Sequence, residues 1–151
     1  MNSIVQDPLV QVHSLDHVTI VSADLERTLA FYTEVLGMRE VPRPNFEFPG
    51  LWLQVGRTQI HVNTAGPDCG GRAGVPDGKA RTPSLGFHIA FAVDDGPAAA
   101  ARLAQAGFKI VDGPRYRPDG AHQFYVYDPD GHLIEICSFP NKIPASAACS
   151  S

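Results

Sequence analysis

Three histidines and one glutamate stand inside apolar runs: His17 in LDHVTI, His61 in QIHVN, His88 in GFHIAF and Glu135 in LIEIC. An unpaired imidazole or carboxylate is costly to bury, so such side chains in strand interiors call for a partner. Neutral imidazole nitrogen and carboxylate oxygen are both donors to a divalent cation. Together they suit Zn²⁺, Ni²⁺, Co²⁺, Fe²⁺ or Mn²⁺, one ion per site, with no organic cofactor. Taken singly, a strand histidine is more often a satisfied core or surface residue than a ligand, and Glu135 alone could sit on a solvated sheet face. Their correspondence along the chain separates the two readings.

The chain carries an internal repeat. Overlaying LDHVTI on GFHIAF sets His17 on His88, and at the same spacing Asp24 falls on Asp95. Further on, Ile60-His61-Val62 meets Ile134-Glu135-Ile136. Each repeat therefore supplies one donor from its first strand and one from its last. Alternation predicts strands over 15–21, 51–55, 58–63, 85–93, 123–127 and 133–137, with short strands at 38–41 and 108–111. Leu25, Leu29, Tyr32 and Leu36 recur at helical spacing, capped by Asp24 or Ser22 and stopped by Gly37. An alanine-rich helix is expected over 96–106, with Pro97 in its first turn and Gly107 after it. The order strand, helix, strand, loop, strand, turn, strand thus occurs twice. It divides the chain into a lead-in (1–14), a first module (15–64), a Gly/Pro-rich connecting loop (65–84), a second module (85–138) and a tail (139–151). The class is α+β.

Composition narrows the function. The 151 residues are 44% apolar and 19% charged with a net charge of −4, which fits one globular domain able to bury its own core. No basic stripe suggests nucleic acid, and no apolar run nears the roughly 20 residues of a membrane span. Met1 to Val12 holds Asp7 and no Lys or Arg, unlike a signal peptide. Cys69, Cys137 and Cys149 lack CxxC spacing and are expected as thiols, so a cytoplasmic protein is anticipated.

At these residues the sequence resembles the vicinal oxygen chelate superfamily, which includes glyoxalase I, extradiol dioxygenases, methylmalonyl-CoA epimerase, fosfomycin-resistance transferases and bleomycin-binding proteins. The segments that carry the resemblance are 15–38, 86–95 and 124–137, and with the strands around His61 they span 15–138. The resemblance implies two βαβββ modules, each a curled four-stranded sheet, forming an incomplete barrel around a metal. It puts His17, His61, His88 and Glu135 at the four ligand positions, and it implies a homodimer whose sites are shared between chains. Extradiol dioxygenases and fosfomycin transferases resemble the chain at His17, His88 and Glu135 but generally lack a ligand where His61 stands. Glyoxalase I and the epimerase carry Glu or Gln there. The positions with which glyoxalase I grips glutathione are Val21, Ala65 and Ser84 here, so strict glutathione dependence is not expected.

By the same resemblance, the expected chemistry is that of a glyoxalase-like lyase or isomerase acting on a small molecule with vicinal oxygens through a metal-stabilised enediolate, with Glu135 as ligand and base. Two alternatives stand beside it: an Fe²⁺ ring-cleaving dioxygenase using His17, His88 and Glu135, and a small-molecule-binding resistance protein. Phe46, Phe48 and Trp52 could wall a substrate pocket. Arg43, Lys79, Arg115 and Arg117 could hold an anion, and His122 and Tyr127 could donate protons. His13 and His132 read as surface residues.

Overall fold

The computed structural model describes residues 8–69, 75–76 and 78–140. Two four-stranded mixed sheets share one topology. The first comprises β1 (His17–Ser22), β2 (Arg39–Val41), β3 (Gly50–Val55) and β4 (Thr58–Thr64), in the order β1-β4-β3-β2. The second comprises β5 (Ile89–Ala92), β6 (Asp112–Tyr116), β7 (His122–Tyr127) and β8 (Leu133–Ser138), in the order β5-β8-β7-β6. In each, the first strand runs parallel to the last and the other neighbours are antiparallel. Neither sheet closes on itself, and the architecture is α+β with two βαβββ modules.

The helices follow their capping signals. Asp24 accepts the backbone N–H of Arg27 and opens α1 (Leu25–Ala30); Asp95 accepts that of Ala98 and opens α2 (Gly96–Gln105). Gly37 and Gly107 take positive φ after the two helical segments, the conformation that ends them cheaply. The first helix does not run unbroken to Leu36. Residues 31–35 widen into a π-type turn, in which Leu36 N–H reaches back to the Phe31 carbonyl.

Alternation sorts the sheet faces. Ile20, Leu51, Leu53, Ile60 and Val62 of the first sheet, and Phe124, Val126, Ile134 and Ile136 of the second, face the helices in one core with Phe31, Tyr32 and Ala100. His17, His61 and Trp52 lie on the opposite, open face of the first sheet. Glu135, Gln123 and Tyr125 lie on the corresponding face of the second.

The modules are joined through polar contacts as well as apolar ones. The β7–β8 turn, residues 128–132, lies against α1. Tyr32 donates to Asp128 at 2.9 Å and Thr28 to Asp130 at 3.0 Å. The Ala23 amide donates to Asp130 at 2.9 Å, and Arg27 to the Pro129 carbonyl at 2.8 Å. His132 is therefore no surface residue. It is 2% exposed, with Nδ1 2.8 Å from Asp128, because docking of the turn under α1 buries it.

Two strand expectations are corrected. The sixth strand is Asp112–Tyr116 and not 108–111, whose Phe108 and Ile110 instead pack against the core. The first strand of the second module is shorter than 85–93, because Pro83–Leu85 forms a 3₁₀ turn. His88 thus sits at the mouth of β5. Expectations that fall on 1–7, 70–74, 77 and 141–151, Cys149 among them, lie outside the described residues.

Candidate metal centre

The register of the strands builds two donor pairs. In the first sheet His61 lies directly opposite Trp52 on β3 and opposite Thr19 on β1, which makes His17 its diagonal neighbour. The three rings stack: His17 on His61 with centroids 3.9 Å apart, and His61 on Trp52 with centroids 4.1 Å apart. His17 Nδ1 lies 2.7 Å from the Asp16 carboxylate. That contact holds the Nδ1 proton and leaves Nε2 with a free lone pair, the arrangement of a carboxylate-oriented metal ligand.

His61 is oriented differently. The Gln59 side-chain nitrogen donates to Gln54 at 3.0 Å, so its oxygen faces His61 Nε2, 2.9 Å away. Nε2 therefore carries the proton, and Nδ1 is the available donor atom. Partial burial, and then the neighbouring His17 charge, lower the His61 pKa and favour the neutral ring.

In the second sheet Glu135 is 6% exposed and lies opposite Ala90 on β5 and Tyr125 on β7. His88 Nδ1 is 2.9 Å from the Gly86 carbonyl, which can only accept, so Nδ1 holds a proton. His88 Nε2 is then turned toward Glu135 Oε2 at 2.9 Å. In a neutral ring this sets a lone pair against a carboxylate oxygen, two acceptors in contact. The contact becomes favourable when the imidazole is protonated or when a cation bridges the two atoms. By this test the donor chemistry fits a divalent ion.

A chain of polar groups leads away from Glu135. Tyr125 donates its hydroxyl to Oε2 at 3.1 Å. With its amide turned to satisfy both ends, Gln123 donates to Oε1 at 3.2 Å and accepts from Arg115 at 3.3 Å. Arg115 pairs with Asp112, which also accepts the buried Ser84 hydroxyl. The Arg115 and Ser84 contacts hold the Asp112 carboxyl down at about 2. Burial, and then the Glu135 charge, push the Tyr125 phenol up to about 12, so it stays a donor.

Among the described residues, no group of three or more His, Cys, Asp or Glu side chains comes together closely enough to hold an ion. The four sequence-derived donors are brought together two by two, His17 with His61 and His88 with Glu135. Of the other candidates, Phe46 stacks on Phe48 and leans on Trp52. Arg115 reaches Glu135 through Gln123. Tyr127 ends β7 on the Glu135 side, 37% exposed. His122 is placed apart from the donors. It faces α2, where a Cβ on Gly96 would lie 2.5 Å from its Nδ1, so the second sheet separates it from Glu135. Arg117 pairs with Asp119 at 2.5 Å, and Lys79 lies exposed in the connecting loop. Sequence reasoning missed Tyr125, Gln123, Asp112 and Asp16. Alternation from Glu135 across the Asp128–Gly131 turn would have put Tyr125 and Gln123 on the donor face.

Comparison with known proteins agrees with this architecture. The glyoxalase/bleomycin resistance protein/dioxygenase superfamily matches residues 14–136. A glyoxalase domain-containing protein of Mycosarcoma maydis is 31% identical over 138 residues, covering 89% of this chain and 73% of that protein. A virulence protein of Salmonella typhimurium is 30% identical over 134 residues, covering 85% of each. Among solved structures, a glyoxalase family protein from Bacillus anthracis superposes with a TM-score of 0.68 at 27% identity, covering 86% of this chain and 98% of its own.

Proposed function

Because the chain belongs to the glyoxalase/bleomycin resistance protein/dioxygenase superfamily, we propose that it is a metal-dependent lyase or isomerase of the glyoxalase type, acting on a small molecule with two neighbouring oxygens. The observation that carries this reading is the contact of His88 Nε2 with Glu135 Oε2 at 2.9 Å. It is matched on the equivalent face of the sister sheet by His17, whose Nε2 is left open by Asp16. A divalent cation held there would supply Lewis-acid polarisation of the substrate oxygens.

The chain's own groups would do the rest. Glu135 takes the proton from the carbon beside the polarised carbonyl. The Tyr125 hydroxyl holds Oε2 and the Gln123 amide holds Oε1, so both oxygens of that carboxylate are fixed in orientation for the transfer. The two donor pairs occupy separate sheets, and the resemblance to the superfamily supports a C2 homodimer in which a site with all four donors takes His17 and His61 from one subunit and His88 and Glu135 from the other.

The test is metal analysis of the purified protein and of its His17→Ala, His88→Ala and Glu135→Ala variants, with deuterium wash-in from D₂O at the carbon next to the carbonyl of 2-oxobutyrate. Bound metal that each variant loses, together with wash-in by the parent protein, is the expected result. Normal metal content in all three variants sinks the reading. Mixing His17→Ala with Glu135→Ala subunits is expected to restore some metal binding; none after verified exchange would place each site within one chain.

One observation favours a second reading. His61 has only Nδ1 to offer, and its ring is held in place by stacking between His17 and Trp52. If His61 stays off the metal, the set reduces to His17, His88 and Glu135, the facial triad of an Fe²⁺ dioxygenase with room for substrate and O₂. Full metal content in His61→Ala, with oxygen uptake on a catechol, would favour it.

A further inference from the structure

Five rings form a train across the open face of the first sheet. Phe46 and Phe48 stack with centroids 5.3 Å apart, and Phe46 meets Trp52 at 6.3 Å. Trp52 stacks on His61 and His61 on His17. The near end of the train is a proposed metal donor. The far end is covered by Arg43, whose guanidinium carbon lies 4.6 Å from the Phe46 centroid and 4.8 Å from that of Phe48.

Three features of this train ask for an occupant. Phe46 is 43% and Phe48 48% exposed, although aromatic surface left in water is unfavourable and the prolines at 42, 44 and 49 restrict the loop that carries them. Beside Phe48 lies a cavity of about 490 Å³, bounded by Pro49, Asn63, Thr64, Gly66 and Cys69. Asn63 follows His61 by two positions on β4, so it shares the donor face. A three-carbon oxo compound would leave most of that volume unfilled, whereas ring-bearing ligands occupy sites of this size. Finally, the partners of Arg43 among the described residues are two ring faces and the Phe48 carbonyl, with no carboxylate.

We propose that the ring train is a substrate subsite for an aromatic ring bearing an anionic group. The ring stacks along Phe46, Phe48 and Trp52, the anion meets Arg43, and the vicinal oxygens point toward His17. The assignment rests on the metal-dependent reading above and adds the substrate class to it. Arg43 and Phe48 are the specificity-determining residues. One Arg43 Nη2 N–H is given to the Phe48 carbonyl, and the remaining guanidinium N–H groups can meet a carboxylate while the group remains stacked.

The test is calorimetric titration of the metal-loaded protein, its metal content measured, with three probes. Hydroxyacetone carries vicinal oxygens alone, 2-hydroxyacetophenone adds a ring, and 4-(2-hydroxyacetyl)benzoate adds a carboxylate to that ring. Affinity is expected to rise about tenfold at each step. Arg43→Gln should abolish the second step and spare the first. Phe48→Leu should weaken both ring-bearing probes and leave hydroxyacetone unchanged. Trp52, the sole tryptophan, gives an independent fluorescence signal for ring binding. Equal binding of the three probes at full metal content, or an undiminished carboxylate preference in Arg43→Gln, overturns the subsite and leaves the metal-dependent reading standing. No binding by any probe overturns both.

Discussion

His88 Nε2 lies 2.9 Å from Glu135 Oε2, while the other nitrogen of the same ring is tied to the Gly86 carbonyl. The carbonyl fixes which nitrogen carries the first proton, so the pair meets across a gap that only a proton or a cation makes favourable. Replacing His88 by Ala removes one donor and is expected to weaken metal binding by more than about 100-fold, beyond what is usual for losing an outer-shell partner. Competition against a chromogenic chelator measures it.

Tyr125 touches the donor set without belonging to it. Tyr125→Phe removes the hydroxyl that holds Glu135 Oε2. The expected outcome is a 10- to 100-fold loss, roughly, in metal affinity or turnover, with the fold intact by circular dichroism. Unchanged affinity and rate would show that Gln123 alone orients the carboxylate.

Tyr32→Phe tests the joint between the modules. The Asp128 carboxylate keeps His132 and the backbone N–H groups of Asp130 and His132, so the loss is one hydrogen bond of four contacts. Urea unfolding is expected to show destabilisation of about 1 kcal/mol. Asp128→Ala strips all four donors of their acceptor and should cost several times as much.

Acid stability should depend on Asp112. Its pKa is held at about 2 by Arg115 and Ser84, below the ordinary carboxylate value near 3.8. A group with a depressed folded-state pKa stabilises the fold above its unfolded pKa and loses that contribution as pH falls through the folded one. The stability gap between the parent and Asp112→Asn should therefore be full at pH 6 and close between about pH 4 and pH 2. A gap that persists at pH 2 would contradict the assignment.

Glutathione should not be required. Val21 and Ala65 are uncharged, and Ser84 is buried against Asp112, so none of the three offers a clamp for its carboxylates. Methylglyoxal turnover that rises in proportion to added glutathione would count against this.

The four candidate donors stand out in the sequence because imidazole and carboxylate are conspicuous inside runs such as QIHVN and LIEIC. The repeat made them legible as a set. Tyr125 and Gln123 escaped because aromatic and amide residues look ordinary in a strand until register puts them opposite Glu135 and Cys137. A DPDGH turn suggests solvent, which hides the burial of His132 from a reading of the sequence. The contrary signal lay a hundred positions earlier, in the polar Ser22, Thr28 and Tyr32 on the core side of the first module. The strand at 112–116 was hidden by Gly113-Pro114, while the apolar run at 108–111 drew attention as a strand when it is core packing instead. His122 looked like a donor beside Tyr127, yet the one-residue change in parity from Gln123 turns it to the helix side.

The contact between α1 and the 128–132 turn also sets a timetable for synthesis. Ser22, Thr28 and Tyr32 leave the ribosome long before Asp128 and Asp130, their partners or near neighbours in the finished fold. Until then the nascent first module carries hydroxyls facing an unfilled interior and an apolar face without its cover. Closure of so distant a contact is slow relative to local helix formation. The half-made chain is thus the stage most exposed to misassociation with neighbouring chains, and truncations that end before residue 128 should collect in the insoluble fraction.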